Sequence, residues 1–188
     1  MNKTLEAILI STIIILLIVA AALSFMLGTS HPLPWIFLVL LIAAILLAKK
    51  ITAKRFLTWD DSYTVGVTVL DDDHKRLINL INQLQTASLY HTSDEYVKET
   101  FDALIDYTKF HFQREEALLE KHDFPGLDEH KLQHQAMINE VESFVTDYQQ
   151  NTDVTITKTI SYLKTWLINH INGTDKEYSG YLNERDVK

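Results

Sequence analysis

The chain has 188 residues, of which 47% are hydrophobic, and a formal net charge of −8. It has no cysteine, which excludes disulfides, thiolate zinc sites, cysteine-ligated iron–sulfur clusters and cysteine nucleophiles. Residues 1–55 hold Lys3, Lys49, Lys50, Lys54 and Arg55 against Glu6 alone, a net +4, so the rest of the chain carries −12. A segment that acidic is a poor binder of phosphates, so no nucleic-acid partner is expected.

Ile8 to Leu27 is apolar except for Ser11, Thr12 and Ser24. At ~1.5 Å per residue, about 20 such residues cross a ~30 Å hydrocarbon core. Gly28 to Pro34 breaks the run, and Trp35 to Ala48 is apolar again until Lys49-Lys50. Leu33 extends this shorter run, Trp35 suits one interface, and the lysines can snorkel at the other. The expectation is a helical hairpin in the lipid bilayer with spans at about 8–27 and 33–48. The break carries no Lys or Arg, whereas the exit carries four, so the positive-inside rule puts both ends in the cytoplasm. This gives a multi-pass inner-membrane protein with a 1–55 anchor and a cytoplasmic domain at 56–188. Ala20-Ala21-Ala22 also fits a signal-peptide cleavage site, but the apolar run goes on through Phe25-Met26-Leu27.

Phe56 to Leu70 reads as a partly extended, ordered arm. Helical periodicity starts near Asp71 and runs to about Leu89, with Leu77, Ile78, Ile81 and Leu84 on one side. Thr92-Ser93-Asp94 offers caps for a second helix, which carries Val97, Phe101, Leu104, Ile105, Thr108 and Phe112 and reaches about Lys121. Asp123-Phe124-Pro125-Gly126 breaks it. A third helix runs from about Leu127 to Tyr148 with Leu132, Ala136, Met137, Val141 and Phe144 apolar. After a loop at Asn151-Thr152-Asp153, a fourth carries Ile156, Ile160, Leu163, Trp166, Leu167 and His170 up to Gly173. A polar tail with Tyr178 and Tyr181 adds a turn or two. The fold class is all-α: an antiparallel up-down four-helix bundle after a two-span hairpin.

Five of the eight histidines fall in these four helices. His130 and His134 are spaced i,i+4 on the third helix, and His111 and Glu115 are spaced alike on the second. His170 precedes Asp175 at the end of the fourth, where Gly173 can re-aim the carboxylate. His74 lies in the first turn of the first helix. Each pair alone is an ordinary helix-surface pattern. In an up-down bundle, however, the start of the first helix, the end of the second, the start of the third and the end of the fourth meet at one end. All seven residues then form one cluster of imidazoles and carboxylates.

Such a ligand set suits iron, and also manganese or zinc. Seven ligands exceed the roughly four that one zinc takes, which implies two metals. Two octahedral irons offer about twelve positions. Five imidazoles, two bridging carboxylates and an oxo or hydroxo bridge fill all but one, leaving room for a small ligand and little else. Carboxylate-rich Glu-x-x-His di-iron pairs, His-Glu-x-x-His and Cys-x-x-Cys-His are all absent.

With Trp59, Val65-Gly66-Val67, Asp71-Asp72-Asp73-His74, His111-Phe112-Gln113-Arg114-Glu115-Glu116, His130-Lys131-Leu132-Gln133-His134, Trp166-Leu167-Ile168-Asn169-His170-Ile171 and Asp175, the chain resembles the hemerythrin family, in particular its bacterial members. The resemblance covers about Trp59 to Tyr181. It implies that His130, His134 and His170 bind one iron and His74 and His111 the other. Glu115 and Asp175 then bridge two non-haem irons, and dioxygen binds at the iron with two histidines. Asp73 departs from the Gln or Glu that the family often has before this histidine.

Leu77, Ile78, Leu104, Met137, Ile138, Leu163 and Leu167 lie one or two turns inward and are the candidate ligand pocket, although each also suits plain bundle core. A dry apolar pocket disfavours release of charged superoxide or peroxide and so slows autoxidation. His31, His91 and His122 sit in loops and receive no role. The expected function is reversible dioxygen binding for storage, or for delivery to a membrane oxidase or oxygenase, without a catalytic residue. Two rivals are an oxygen or redox sensor that signals through a partner, and a di-iron peroxidase, ferroxidase or nitric-oxide-handling enzyme.

Overall fold

The structure is a computed structural model that describes residues 3–53, 55–90, 92–148 and 152–187. His91 and Asn151 lie outside the described residues. The chain divides into two compact units, Met1–Phe56 and Leu57–Lys188.

The first unit holds α1 (Lys3–Ser24), a 3-10 turn at Phe25–Leu27, and α2 (Pro32–Ala53), packed against each other. Gly28 ends the 3-10 turn at φ +93°, a region that disfavours other residues. Trp35 steadies the turn: its Nε1 donates to the Thr29 carbonyl at 3.0 Å, and its ring meets Phe25 edge-on. His31 is a local turn residue whose Nδ1 accepts from the Leu33 amide. The second helix runs past Lys49-Lys50, because nothing there breaks it, and is longer than the expected span. Ala7–Leu27 and Pro32–Thr52, each 21 residues with mean hydropathies of 2.9 and 2.3, are long and apolar enough to cross a membrane. Most of their large apolar side chains, such as Leu16, Leu23, Val39 and Leu46, are exposed.

The second unit contains α3 (Thr68–Leu89), α4 (Asp94–Lys121), α5 (Leu127–Tyr148), α6 (Thr152–Asn172) and α7 (Thr174–Asn183). α3 packs on α4 and α6, and α5 on α4 and α6, so the four long helices close a ring. The arm is ordered by polar side chains. Asn82 bonds both the amide and the carbonyl of Leu57, and Trp59 packs edge-on against Tyr63 and under Lys75.

Three expectations need correction. α3 begins at Thr68, three residues before Asp71, because Val67 supplies the first carbonyl and accepts from Leu70 and Asp71. His74 therefore sits in the second turn. Asp71 is a clasp: it accepts from the Val65 and Gly66 amides and the Thr64 hydroxyl, which bends the arm onto the helix. On α5, Leu132 is 64% exposed and Ala136 is exposed too; the inward stripe is His130, His134, Met137 and Val141, at helical spacing. Finally, the tail is a 10-residue helix rather than a turn or two. Its Tyr178 and Leu182 are fully buried with Val65, Val67, Leu70 and Leu119 in a second small core. Lys176, Ser179 and Asn183 fasten it to the carbonyls of Thr64 and Val65.

Candidate metal centre

The ring of helices brings together all seven residues of the proposed cluster, each buried. His111 and Glu115 come from α4, His130 and His134 from α5, His170 from the last turn of α6, and His74 from α3. Asp175 comes from the start of α7, where Gly173 turns the chain at φ −108°, ψ −83°.

The two carboxylates divide the histidines. Glu115 turns Oε1 to His130, with which it bonds, and to His134 Nε2 at 3.8 Å. It turns Oε2 to His111 Nε2 at 3.1 Å and His74 Nε2 at 3.9 Å. Asp175 repeats the division: Oδ1 faces His170 Nε2 at 3.1 Å and His130 Nε2 at 3.8 Å, while Oδ2 faces His74 Nε2 at 3.3 Å. His134 Nε2 and His170 Nε2 converge to 3.0 Å. Glu115, His130, His134 and His170 each bring a ligand atom within 4.8 Å of the others, and so do His74, His111 and Glu115.

Several of these atoms lack a hydrogen-bond partner: both ring nitrogens of His74, His130 Nδ1, Glu115 Oε2 and both Asp175 oxygens. Orphaned buried polar atoms cost about 1–3 kcal/mol each. A pair of cations would meet the inward-facing nitrogens and oxygens at once, so the donor set fits two metal ions.

Electrostatics agrees at three of the five imidazoles. Burial holds the His134 imidazole down at about 2 and His170 at about 3, so both are neutral with a free lone pair. Burial lowers His74 as well. Burial also opposes charge on Glu115, but the facing imidazoles of His111, His130 and His74 outweigh it and hold the carboxyl well below its usual range. Burial and the Glu115 charge push Asp175 well above its own. Two anions in one dry site resist each other, and cations between them remove the conflict.

Outer partners fix the rings. Asp73 accepts from the Tyr107 hydroxyl at 2.7 Å and from Arg114 at 2.9 and 3.0 Å, and faces His111 Nδ1 at 3.5 Å. Burial opposes a charge on His111, yet the carboxylates of Asp73 and Glu115 on either side raise it to about 9. His134 Nδ1 bonds Glu116 at 2.8 Å. A carboxylate on Nδ1 leaves Nε2 to face a metal. Phe112 stacks on His134 with centroids 3.6 Å apart, and Trp166 stacks on His170 at 4.2 Å. The roles of Tyr107, Arg114, Glu116, Phe112 and Trp166 were not drawn from the sequence. The usable signal was that Phe112 and Glu116 directly follow cluster residues.

Of the candidate pocket residues, Leu77, Leu104, Met137, Leu163 and Leu167 line one apolar cavity of about 10 Å³, together with Phe112 and Trp166. That is room for about one water-sized molecule. Ile138 lines a neighbouring cavity with Ile105 and Val141. Ile78 lines neither and is core. His122 caps α4, and its carbonyl accepts from Tyr181.

The Hemerythrin HHE cation binding domain matches residues 65–182. A bacteriohemerythrin of Stenotrophomonas maltophilia is 34% identical over 125 residues, covering 65% of this chain and 79% of its own length. A hemerythrin-like protein of Naegleria gruberi is 33% identical, covering 66% and 92%. A solved wild-type hemerythrin superposes with a TM-score of 0.59 at 25% identity, covering 66% of this chain and 95% of that one. Matched in sequence over most of its length and in fold over nearly all of a solved hemerythrin, the chain belongs to the hemerythrin family.

Proposed function

We propose that the bundle binds dioxygen reversibly at two non-haem irons joined by an oxo or hydroxo bridge, and that the apolar hairpin holds it at the cytoplasmic face of the inner membrane. The split of Glu115 and Asp175, each with one oxygen toward each histidine group, carries this reading. His130, His134 and His170 would hold one iron, His74 and His111 the other, and the two carboxylates would bridge them. When bound, the iron pair supplies two electrons to a small ligand at the one position left open.

The residues around it hold rather than turn over. Asp73 and Glu116 orient His111 and His134. Leu77, Leu104, Met137, Leu163 and Leu167 exclude water, and so keep a proton source from a bound ligand. Storage, or delivery to a membrane oxidase or oxygenase, follows from such a site on a membrane anchor.

The test uses the full chain in detergent, loaded with iron without oxygen. About two irons per chain are expected, with a charge-transfer absorption band that appears with oxygen and disappears on its removal. Sustained peroxide consumption instead would make the protein an enzyme. Protease added to right-side-out cells should spare the bundle, and digestion from outside would overturn the orientation.

A further inference from the structure

Met137 is the one methionine of the bundle; the others are Met1 and Met26, in the segment of the hairpin. It is 4% exposed and follows His134 by three residues on the inward face of α5. Its side chain is a wall of two apolar cavities of about 10 Å³ each, which also share Leu104, Thr108 and Leu163. Phe112 and Trp166, the rings stacked on His134 and His170, line one of them. The thioether therefore shares a small dry space with the rings that cover the three-histidine group. Leucine fills the same cavity at 77, 104, 163 and 167; methionine fills it equally well but adds an oxidisable sulfur. For oxidants in bulk water, the order of attack follows exposure. By that rule Met26, 84% exposed, is the first target and Met137 the last. An oxidant formed inside the bundle reverses the order.

We propose that Met137 is a modification site, converted to the sulfoxide by hydrogen peroxide that forms at the iron pair when it autoxidises. This rests on the di-iron reading above. In autoxidation, dioxygen takes two electrons from the iron pair and two protons from water and becomes hydrogen peroxide. An apolar space favours this neutral molecule over its anions. Held there, it meets the sulfur at an effective concentration far above that in solution. The sulfur lone pair attacks one peroxide oxygen. The S–O bond forms, the O–O bond breaks, and the proton on the transferred oxygen passes to the departing one, which leaves as water. Sulfur loses two electrons and the peroxide takes them. Thr108, the one hydroxyl among the described wall residues, donates to the Leu104 carbonyl at 2.8 Å and keeps its lone pairs for a peroxide O–H. Transfer competes with escape, so the sulfoxide builds up over repeated turnovers. It is polar where the thioether was apolar, so it draws water into the cavity and speeds the next autoxidation.

The iron-loaded full chain in detergent is taken through repeated cycles of anaerobic reduction and exposure to dioxygen labelled with heavy oxygen. Catalase in the buffer destroys the peroxide that escapes. Peptide mass spectrometry should find the label at Met137 in at least about tenfold excess over Met26, rising with each cycle. Iron-free chain given hydrogen peroxide in the buffer should show the opposite order, by at least about the same factor. After the cycles, chain that still holds its iron should autoxidise at least about threefold faster than in its first cycle, and Met137→Leu should show no such acceleration. Met137 left unlabelled by a fully autoxidised chain would overturn the proposal. So would equal acceleration in Met137→Leu, or label spread evenly over Phe112, Trp166 and Met137, the sign of radicals in place of a two-electron transfer. Label at Met137 in a chain without a reversible oxygen band would count against the oxygen reading and leave the modification standing.

Discussion

At one end of the bundle the interior is filled by Leu84, Ala87, Val97, Phe101, Ile156 and Ile160; at the other, five imidazoles and two carboxylates are as well shielded from water. The apolar end needs nothing beyond the solvent to hold it, since burial of each large side chain contributes about 1.5–3 kcal/mol. The polar end gains far less from the same burial. Its donors and acceptors are only partly satisfied by each other, and a bound cation supplies the missing partner. The stability of one end is thus a property of the chain, and that of the other is a property of chain and metal together.

The largest expected effect breaks the polar end alone. His134→Ala removes one imidazole from the group of three and should lose iron or reversible oxygen binding, whereas His122→Ala should do neither. Metal analysis of the two variants decides it, and equal iron and oxygen behaviour in both would refute the assignment. Chelation of the wild-type chain should act in the same place. Backbone amides at 111–116, 130–137 and 170–182 should exchange faster with solvent, while those at 80–89, 98–105 and 156–163 keep their protection.

The four long helices were legible in the sequence because each keeps a helical apolar stripe between strong breakers, as at Asp123-Phe124-Pro125-Gly126. The seven cluster residues were legible because their spacings fall on helix faces that an up-down bundle must bring together. Two exceptions have a common cause. α7 and Asp73 act through contacts distant in sequence, with the arm, with Tyr107 and with Arg114, and periodicity carries no trace of a partner 34 or more residues away; Asp71 acts on Thr64, Val65 and Gly66 close by, through a turn that has no helical period. Leu132 misled for a simpler reason: it sits between His130 and His134, and the face that points inward is theirs.

Phe101→Ala tests the other end. It should destabilise by about 3–5 kcal/mol, seen as a fall of roughly 10 °C in the thermal midpoint of the loaded protein, with iron content unchanged. Loss of iron at that distance would mean the two ends are not separable. Leu167→Ala sits at the boundary. A buried leucine there should cost ~2–5 kcal/mol, and the enlarged cavity should admit water and speed autoxidation, measured on protein that still holds its iron. If the variant keeps its iron and autoxidises no faster than the parent, Leu167 is bundle filling and the polar end stops short of it.

Tyr107→Phe should have the smallest effect and separates orientation from ligation. The hydroxyl donates to the outer partner Asp73, at 2.7 Å, and among the described residues it bonds no member of the cluster. Burial and the bond to Asp73 raise its pKa to about 12, so at neutral pH it is a neutral phenol that donates. Its removal leaves Asp73 with both Arg114 bonds and its contact to His111. The loss should be near 0.5–1.5 kcal/mol, the net worth of one hydrogen bond, or a few degrees in thermal midpoint. Both irons should remain. What should move is the environment of His111: with one donor fewer, Asp73 accepts more strongly from Nδ1, which makes the ring a stronger donor at Nε2 and lowers the reduction potential of the iron pair. Arg114→Gln, which removes a charged donor from the same carboxylate, should shift the potential in the same direction and further. Opposite shifts in the two variants, or an unchanged potential in both, would show that Asp73 is a structural anchor for α3 and α4 and does not tune the metal end.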